Sequence, residues 1–302
     1  MESKPRVGVI GVGAMGAAVV QQLLERGFRV YVRDIRAEAE HEARTAGAIV
    51  CESPAALARE CAVLITLVVD AAQTEEVVFG PQGAAEGLST DAVLVMSSTV
   101  QPSAAESIGA RLAARGLCML DAPVSGGPAR AQAGQMSMMI AGTDAAFERA
   151  RPVLEAISGK RIRIGDRPGD GSKAKIVNNM LAGVNLAAAC EAIALGIKLG
   201  LDPGVLFDVV SASSGGSWMF ADRMPRVLRN DYAPRAALDI LKKDLTIVKE
   251  VARGLSYPVP MASAGQQVFV DASNMGLGSE DDAALIKLYQ ALTGIALPRA
   301  SD

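Results

Sequence analysis

The sequence predicts an α/β protein with a doubly wound parallel sheet in its first half and only helices in its second. As far as Asp166, short apolar runs rich in β-branched residues alternate with segments of helical spacing, which is typical of parallel strands joined by helical crossovers. After the turn-rich segment 167–171, no strand pattern of comparable strength follows. We therefore predict a sheet domain over residues 1–168 and an all-helical domain over 169–302, joined by a long interdomain helix.

Length and composition are those of an ordinary globular protein. The chain has 302 residues, enough for two domains, of which 50% are hydrophobic and 21% charged. Its net charge of −3 and the lack of a basic segment argue against nucleic acid or an anionic membrane as a partner. We find no signal-peptide pattern and no run suited to a membrane span, so we expect a cytoplasmic protein.

The cysteines and the histidine limit the possible chemistry. The only histidine, His41, lies in a charged segment that predicts a surface helix over 37–45. This disfavours histidine-based hydrolases, histidine-dependent dehydrogenases and multi-histidine metal sites, so another side chain must move the proton in any reaction. The four cysteines lack paired metal-ligand spacing, which favours buried thiols in a reducing cytosol and no metal site. They are Cys51, Cys61, Cys118 and Cys190.

The first strand–turn–helix unit carries a dinucleotide fingerprint. An apolar run over 6–10 leads directly into a glycine-rich turn, and a helical segment follows. Gly11 permits the tight turn, Gly13 lets the backbone approach a pyrophosphate, and Gly16 allows close helix–strand packing. In this context the motif predicts a Rossmann-like, NAD(P)-binding domain. The residues expected to contact the cofactor are Gly11, Val12, Gly13, Ala14, Met15 and Gly16.

A carboxylate ends the second predicted strand. Asp34 follows the run 28–33 and lies 18 residues after Gly16, close to the spacing of about 20 expected for the residue that binds the adenosine ribose. Such a carboxylate would repel a 2′-phosphate and favours NAD. Arg33 and Arg36 flank it and could accommodate the phosphate, so NADP stays open.

The alternation of strands and helices continues towards residue 166. Ligands of parallel sheets bind outside the carboxyl ends of the strands, so we expect Leu67, Val68 and Thr99 beside the glycine turn. For Thr99, simple helix capping and a contact to the cofactor or the substrate are equal alternatives. The predicted strands are 48–50, 62–69, 92–99, 117–123 and the edge strand 160–166, and the predicted helices are 55–60, 71–79, 102–115 and 143–158.

The loop after the strand 117–123 has the chemistry of an anion cradle. Ser125, Gly126 and Gly127 offer a hydroxyl and closely spaced backbone N–H groups, which suit a carboxylate. From local chemistry alone, a merely flexible loop is an equal alternative.

Residues 172–199 predict a helix of 28 residues that is apolar on too many sides for a surface helix. We expect a central helix, buried between domains or subunits. Lys175 and Asn179 are four residues apart near its start and share one face, which makes Lys175 the candidate for proton transfer. Residues 213–218 are predicted as a loop that ends with Trp218. Further helices are predicted over 204–212, 238–253, 261–272 and 280–293.

Taken in order, three motifs resemble those of the β-hydroxyacid dehydrogenase family, whose members include 3-hydroxyisobutyrate dehydrogenase, tartronate semialdehyde reductase and, more distantly, 6-phosphogluconate dehydrogenase. They are the glycine turn 11–16, the run D-A-P-V-S-G-G at 121–127 with Gly134 and Gly142, and the run G-x-G-x-x-x-K-x-x-N-N at 169–179. The resemblance covers nearly the whole chain. It implies a small hydroxy-acid substrate, NAD or NADP as cofactor, and a homodimer or homotetramer built on the helical domain.

The resemblance also implies roles for individual residues. Lys175 would be the catalytic acid/base, while Lys243, Thr99 and Leu67 would lie against the cofactor. For Trp218, core packing and a place in the wall of the substrate pocket both stay open. The residues implied or proposed to hold the substrate are Ser125, Gly126, Gly127, Asn178, Asn179 and Trp218.

Shorter segments at 68–73, 217–224, 231–235 and 280–282 are similar to the L-threonate dehydrogenase subgroup, although that subgroup carries a histidine-containing pair where this chain has Asn178 and Asn179. We therefore predict an NAD-dependent oxidoreductase of an L-threonate-like hydroxy acid. Tartronate semialdehyde reductase and 3-hydroxyisobutyrate dehydrogenase activities are the alternatives within the family. A non-catalytic dinucleotide-binding module and an imine reductase on the same fold are the alternatives outside it.

Overall fold

The computed structural model describes residues 4–298. The chain divides into two compact units, Met1–Lys175 and Ile176–Asp302. The division falls inside one long helix, Asp170–Lys198, whereas the sequence places the boundary just before it, at 168/169.

The first unit is built on a nine-stranded sheet within the described residues. Six strands, β1 to β6, are mutually parallel, and β1 pairs with both β2 and β4, as expected of a doubly wound sheet. The strand order is β3-β2-β1-β4-β5-β6-β8-β7, with β9 paired to β8. The strands are β1 Val7–Ile10, β2 Val30–Arg33, β3 Ile49–Val50, β4 Val63–Thr66, β5 Val93–Met96, β6 Cys118–Asp121, β7 Val124–Ser125, β8 Met136–Ala141 and β9 Ser158–Gly165.

Helices cover both faces of this sheet. Three of them begin at N-capping side chains: Ser53, Asp70 and Thr143 each accept a hydrogen bond from the backbone N–H three residues later. The helices are α1 Ala14–Glu25, α2 Ala37–Thr45, α3 Pro54–Glu60, α4 Ala71–Phe79, α5 Pro102–Ala113, α6 Gly127–Gln132 and α7 Asp144–Ile157. The apolar side chains of the strands form two cores, one on each face of the sheet.

The far edge of the sheet has a feature that the sequence analysis does not predict. Strand β8 is antiparallel to β6 and to the short β7, and β9 is parallel to β8. The predicted strands 62–69 and 92–99 are also shorter than expected, because the chain leaves the sheet at Thr66 and at Met96. These early ends leave two loops at the carboxyl edge of the sheet, where ligands bind in such folds.

The second unit is all helical over its described part, apart from a single bridge between Ala237 and Asp281. Its helices are α8 Asp170–Lys198, which begins in the first unit, α9 Pro203–Ser211, α10 Trp218–Leu228, α11 Leu238–Gly254, α12 Pro260–Ala272 and α13 Ile286–Thr293. Helix α10 is not among the predicted helices, because Pro225 lies inside it and masks the helical pattern. The prediction of an α/β protein with an all-helical second half is otherwise confirmed.

Helix α8 is apolar for most of its 29 residues. By length and composition alone it could cross a membrane, since one 18-residue window has a mean hydropathy of 1.8, but 44% of that window is buried within the protein. A core helix has the same composition. In the second unit, Leu186, Cys190 and Ile193 of α8 share one apolar core with Phe220 and Phe269.

Candidate active site

The glycine turn between β1 and α1 leaves no room for a side chain at two of its three glycines. At Gly11, where φ is 90°, an added Cβ would lie 2.7 Å from the carbonyl oxygen of Leu67. At Gly16 it would lie 1.9 Å from the carbonyl oxygen of Gly11. Gly13 is different, because the nearest atom to an added Cβ is 3.9 Å away and the space outside it is open. Ala14 and Met15 follow in the first turn of α1, whose start is capped by no side chain. This is a suitable cradle for a pyrophosphate.

Asp34 closes one side of this turn. It follows β2 and is buried, and its Oδ2 accepts the backbone N–H of Val12 at 2.6 Å. Its Oδ1 accepts the backbone N–H of Arg36 at 2.9 Å and the Nε of Arg36 at 3.2 Å. Burial alone would raise the pKa of Asp34, but these hydrogen bonds and the Arg36 charge outweigh it and hold the pKa below its usual value. The carboxylate is therefore ionised and can still accept a ribose hydroxyl.

The rim next to the glycine turn is formed by the residues after β4 and β5. The Leu67 N–H donates to the carbonyl of Ile10 at 2.8 Å, which fixes this loop to β1. The hydroxyl of Ser98 accepts the backbone N–H of Val68 at 3.1 Å. Thr99 follows and is half-buried. Leu67, Val68 and Thr99 thus lie on the rim predicted for them, and Ser98 is the residue that joins its two loops.

A buried aspartate links the second and third sequence motifs. Asp121 is fully buried, and its carboxylate accepts the backbone N–H groups of Gly169 and Ser172 and the Ser172 hydroxyl, each at 2.8 Å. It therefore caps the start of α8. An added Cβ at Gly171 would lie 2.5 Å from the Asp121 carbonyl oxygen, so a larger residue there would separate the helix from the strand. Burial raises the pKa of Asp121, and its hydrogen bonds oppose this only in part.

Lys175 lies one turn into the helix that Asp121 caps. Its side chain is buried, and its Nζ donates to the carbonyl oxygen of Val124 at 2.7 Å. Val124 and Ser125 form β7, and Gly127 begins α6. No atom lies within 4 Å of a Cβ added at Gly127, so the space beside this residue is open. The structure thus brings the candidate proton carrier to the loop that carries the candidate anion cradle, within the first unit.

In the second unit, Asp244 organises the residues around Asn179. The buried Asn179 donates from Nδ2 to Asp244 Oδ2 at 2.5 Å and accepts from Asn178 Nδ2 at 3.0 Å. Lys243 Nζ is 2.8 Å from Asp244 Oδ1, an ion pair rather than a well-aligned hydrogen bond. No sequence motif assigns a role to Asp244. Its position directly after Lys243, on a helix face buried in the core, is the only signal for it.

Trp218 is not a core residue. It begins α10 with 47% of its surface exposed, and the Arg223 guanidinium lies 5.8 Å from its ring centroid. Core packing is therefore excluded as its role. Arg223 in turn makes a bidentate pair with the buried Asp282, at 2.5 and 2.9 Å.

Three of the segments that resemble the L-threonate dehydrogenase subgroup meet at Asp281 and Asp282. The Arg226 guanidinium pairs with both carboxylate oxygens of Asp281 at 3.0 Å, and the backbone N–H of Arg235 donates to Asp281 Oδ2 at 3.0 Å. Burial raises the pKa of Asp282 despite the Arg223 charge. The shared role of these segments is to hold α10 against the 3₁₀ turn Asp282–Leu285.

The remaining candidates for chemistry lie outside these clusters. His41 is exposed on α2, and all four cysteines are free thiols. Burial raises the pKa of the Cys61 thiol to about 12 and makes it a poor nucleophile. Over residues 4–298, no group of three or more His, Cys, Asp or Glu side chains is placed to hold a metal ion.

A sheet of this topology with such a glycine turn and a buried lysine is the arrangement expected of a nicotinamide-dependent dehydrogenase. Comparisons with known proteins then identify the family. The domain family described as the NAD binding domain of 6-phosphogluconate dehydrogenase matches residues 6–165, and the NAD-binding domain of NADP-dependent 3-hydroxyisobutyrate dehydrogenase matches 169–289. The chain is 50% identical to L-threonate dehydrogenase of Cupriavidus necator over 292 residues, 97% of each protein.

Solved structures agree with this assignment. A crystal structure of 3-hydroxyisobutyrate dehydrogenase from Salmonella typhimurium has a TM-score of 0.88 and 41% identity, and the match covers 94% of this chain and all of that one. The structure of Psf3 in complex with NADP+ and 2-OPP has a TM-score of 0.87 and 26% identity, covering 93% of this chain and 99% of the other. The chain belongs to the β-hydroxyacid dehydrogenase family. It is an NAD(P)-dependent oxidoreductase of small hydroxy acids, as the sequence predicts.

Proposed function

We propose that this protein oxidises L-threonate with NAD and that Lys175 is its general acid/base. The substrate is proposed from the likeness to L-threonate dehydrogenase over 97% of the chain, together with the subgroup segments. The observation that supports the lysine is its burial beside the loop 124–127, with Nζ 2.7 Å from the Val124 carbonyl oxygen. The Val124 carbonyl takes one of the three hydrogens of the Lys175 ammonium group.

The chain's own residues have to position the substrate and move its proton. When bound, the nicotinamide supplies the hydride acceptor. Lys175 Nζ takes the proton of the substrate hydroxyl during oxidation and returns it during reduction. The hydroxyl of Ser125 and the N–H groups of Gly126 and Gly127 bind the substrate carboxylate.

Asn179 is proposed to orient the reacting hydroxyl from the next turn of α8. Asp244 and Asn178 fix the orientation of its amide, with Nδ2 donating to one and Oδ1 accepting from the other. Each of these atoms keeps one further hydrogen-bonding position for a substrate hydroxyl. Asn178 and Trp218 are proposed as additional substrate contacts, and Lys243, Thr99, Leu67 and Val68 as cofactor contacts.

The test compares Lys175→Ala with Lys173→Ala. Lys173 lies two residues earlier on the same helix, but it is half-exposed and paired with Glu106 and Asp170. We expect Lys175→Ala to lower kcat by about 10²–10⁴-fold, because general acid–base steps contribute that much. Lys173→Ala should stay within about twofold of the wild type. Turnover of Lys175→Ala within about tenfold of the wild type would refute the assigned role.

The substrate is tested with a panel of L-threonate, D-glycerate, 3-hydroxyisobutyrate and L-serine, each with NAD and with NADP. We expect the highest kcat/KM with L-threonate and NAD. A higher value with 3-hydroxyisobutyrate would favour the activity named for the Salmonella structure. Turnover of none of these acids, with intact cofactor binding, would favour a binding module or another chemistry.

We also propose a cytoplasmic homodimer or homotetramer that covers an apolar stripe on α8. The stripe consists of Val177, Leu181 and Leu195 and continues to Leu199, one residue past the end of α8. These side chains lie at helical spacing with 55–70% of their surface exposed. A second copy of the chain would remove this stripe from water. In light scattering after gel filtration, Leu195→Glu should lower the mass, whereas Leu292→Glu, equally apolar and exposed on α13, should not. A monomeric wild type would contradict the proposal.

A further inference from the structure

Two arginines and two carboxylates form a closed network at the end of β2. Arg33 Nη1 is 2.5 Å from Glu40 Oε1, and Arg36 Nε is 3.2 Å from Asp34 Oδ1. Both arginines flank the residue at which the ribose of a dinucleotide is recognised in this fold. The four formal charges sum to zero.

Glu40 is more than a surface partner of Arg33. Its side chain is only 15% exposed, and Oε1 also accepts the backbone N–H of Asp34 at 3.1 Å. Arg33 Nη1 donates in addition to the Asp34 carbonyl oxygen at 2.8 Å. Glu40, on the first turns of α2, therefore holds the Arg33 guanidinium against the backbone of Asp34 rather than towards solvent.

Arg36 is held from the opposite side. Its Nη2 donates to the Val12 carbonyl oxygen at 3.2 Å, while the Val12 N–H donates to Asp34. The guanidinium thus spans from the ribose-binding carboxylate to the glycine turn, close to the open side of Gly13. Both cations of this corner are engaged by anions or carbonyl groups of the protein itself.

Beside the repulsion already expected from Asp34, we propose that Glu40 is a second determinant of the preference for NAD over NADP, because it holds Arg33 and so keeps a 2′-phosphate site closed. A 2′-phosphate brings a charge of about −1.5 to −2. Guanidinium groups bind phosphate well, and this corner contains two of them. In the wild type Asp34 repels the phosphate and neutralises Arg36, while Glu40 neutralises Arg33 and turns it away. Glu40 is a positioning residue that acts through Arg33.

The inference rests on the glycine turn being the dinucleotide site, and its test measures binding without turnover. Dissociation constants of NAD and NADP are determined by calorimetry for the wild type, Glu40→Gln, Asp34→Ser and the double variant. The matched control is Glu38→Gln, which removes the same charge from an exposed position of the same helix. Melting curves by circular dichroism check that each variant is folded.

We expect the wild type to bind NAD at least about tenfold more tightly than NADP. Glu40→Gln should tighten NADP binding about 3- to 10-fold and leave NAD within about twofold, since a typical net hydrogen bond is worth about that much and Arg33 is partly exposed to solvent. Asp34→Ser should weaken NAD about tenfold, and the double variant should prefer NADP. Glu38→Gln should change neither constant by more than about twofold.

Several outcomes would overturn the inference. Equal wild-type affinity for NAD and NADP would show that the corner does not exclude the phosphate. An NADP affinity of Glu40→Gln within about twofold of the wild type would contradict the role of Arg33, even if Asp34→Ser fails to fold. If Glu38→Gln tightens NADP binding as much as Glu40→Gln does, the gain comes from the net charge of the protein and not from Arg33. If the folded wild type binds neither dinucleotide, the assignment of the glycine turn as the cofactor site is wrong. That result would refute the proposed function as well as the role of Glu40.

Discussion

The two units each use a buried aspartate to fix a part of α8, but they use it differently. Asp121 accepts hydrogen bonds from two backbone N–H groups and a hydroxyl, all neutral, and fixes the start of the helix. Asp244 binds the amide of Asn179 and pairs with the cation of Lys243, and so fixes side chains. Burial is the main cause of the raised pKa of Asp121, and the hydrogen bonds from its three neutral donors offset it only in part.

Asp121 therefore holds the backbone of α8, whereas Asp244 orients side chains that are proposed to contact the substrate and the cofactor. Loss of Asp121 would release the backbone from which Lys175 projects, whereas loss of Asp244 would leave the helix in place and free an amide and an ammonium group. We therefore expect the first change to act mainly on stability and the second mainly on catalysis.

The largest effect is expected for Asp121→Ala. The change leaves two buried N–H groups and a hydroxyl without an acceptor and creates a cavity, so the free energy of unfolding should fall by about 3–5 kcal/mol. Urea unfolding measures it. The control is Asp70→Ala, which removes the accessible cap of α4 and should cost about 1 kcal/mol. Equal losses in the two variants would mean that Asp121 is an ordinary helix cap.

A smaller stability effect and a clear kinetic one are expected for Asp244→Ala. We expect kcat to fall about 10- to 100-fold, because Asn179 loses the partner that orients its amide, while the free energy of unfolding falls by about 1–3 kcal/mol. Steady-state kinetics and urea unfolding on the same preparation separate the two effects. If Asp244→Ala instead loses as much stability as Asp121→Ala and keeps wild-type kcat, the contrast between the two aspartates is wrong.

The smallest effect is the pH dependence of Asp121→Asn. The folded-state pKa of Asp121 is raised above its ordinary value of 3.8, so the folded state favours the protonated carboxyl. This preference adds to the free energy of unfolding of the wild type at low pH, and the added stability is lost as the pH rises through the folded-state pKa. Asparagine has no such charge to bury. The melting temperature of Asp121→Asn should therefore approach that of the wild type as the pH is raised from about 4 towards neutral. A gap that widens over this range would contradict the raised pKa.

The sequence predicts an element most accurately where neighbouring residues mark its two ends. The helices 37–45 and 71–79 match α2 and α4 to the residue, since charge pattern in one and Asp70 with Gly80 in the other mark their ends. The direction of β8 depends on pairing with β6, which no local pattern records. The predicted strand 62–69 is longer than β4 because apolar residues continue past Thr66 into the rim loop, where Val69 is exposed.

The candidate site shows the same limit. The glycine turn, Asp34 and Lys175 could be found from spacing and motif order. Asp121 was visible only as part of a motif, because the groups it binds lie 48 and 51 residues away along the chain. The pairing of Asn179 with Asp244 spans 65 residues and is equally invisible to local reasoning. Long-range hydrogen bonds to buried carboxylates are what the structure adds.

The central claim is that Lys175 carries the proton, and amine rescue of Lys175→Ala tests it most directly. A small primary amine added to this variant can occupy the space of the missing side chain and take over its acid–base role. We predict that ethylamine restores kcat in proportion to its concentration, by at least about tenfold, while the dissociation constant of NAD stays within about twofold of the wild type. Unchanged turnover over the whole amine series, with cofactor and substrate still bound, would contradict the account.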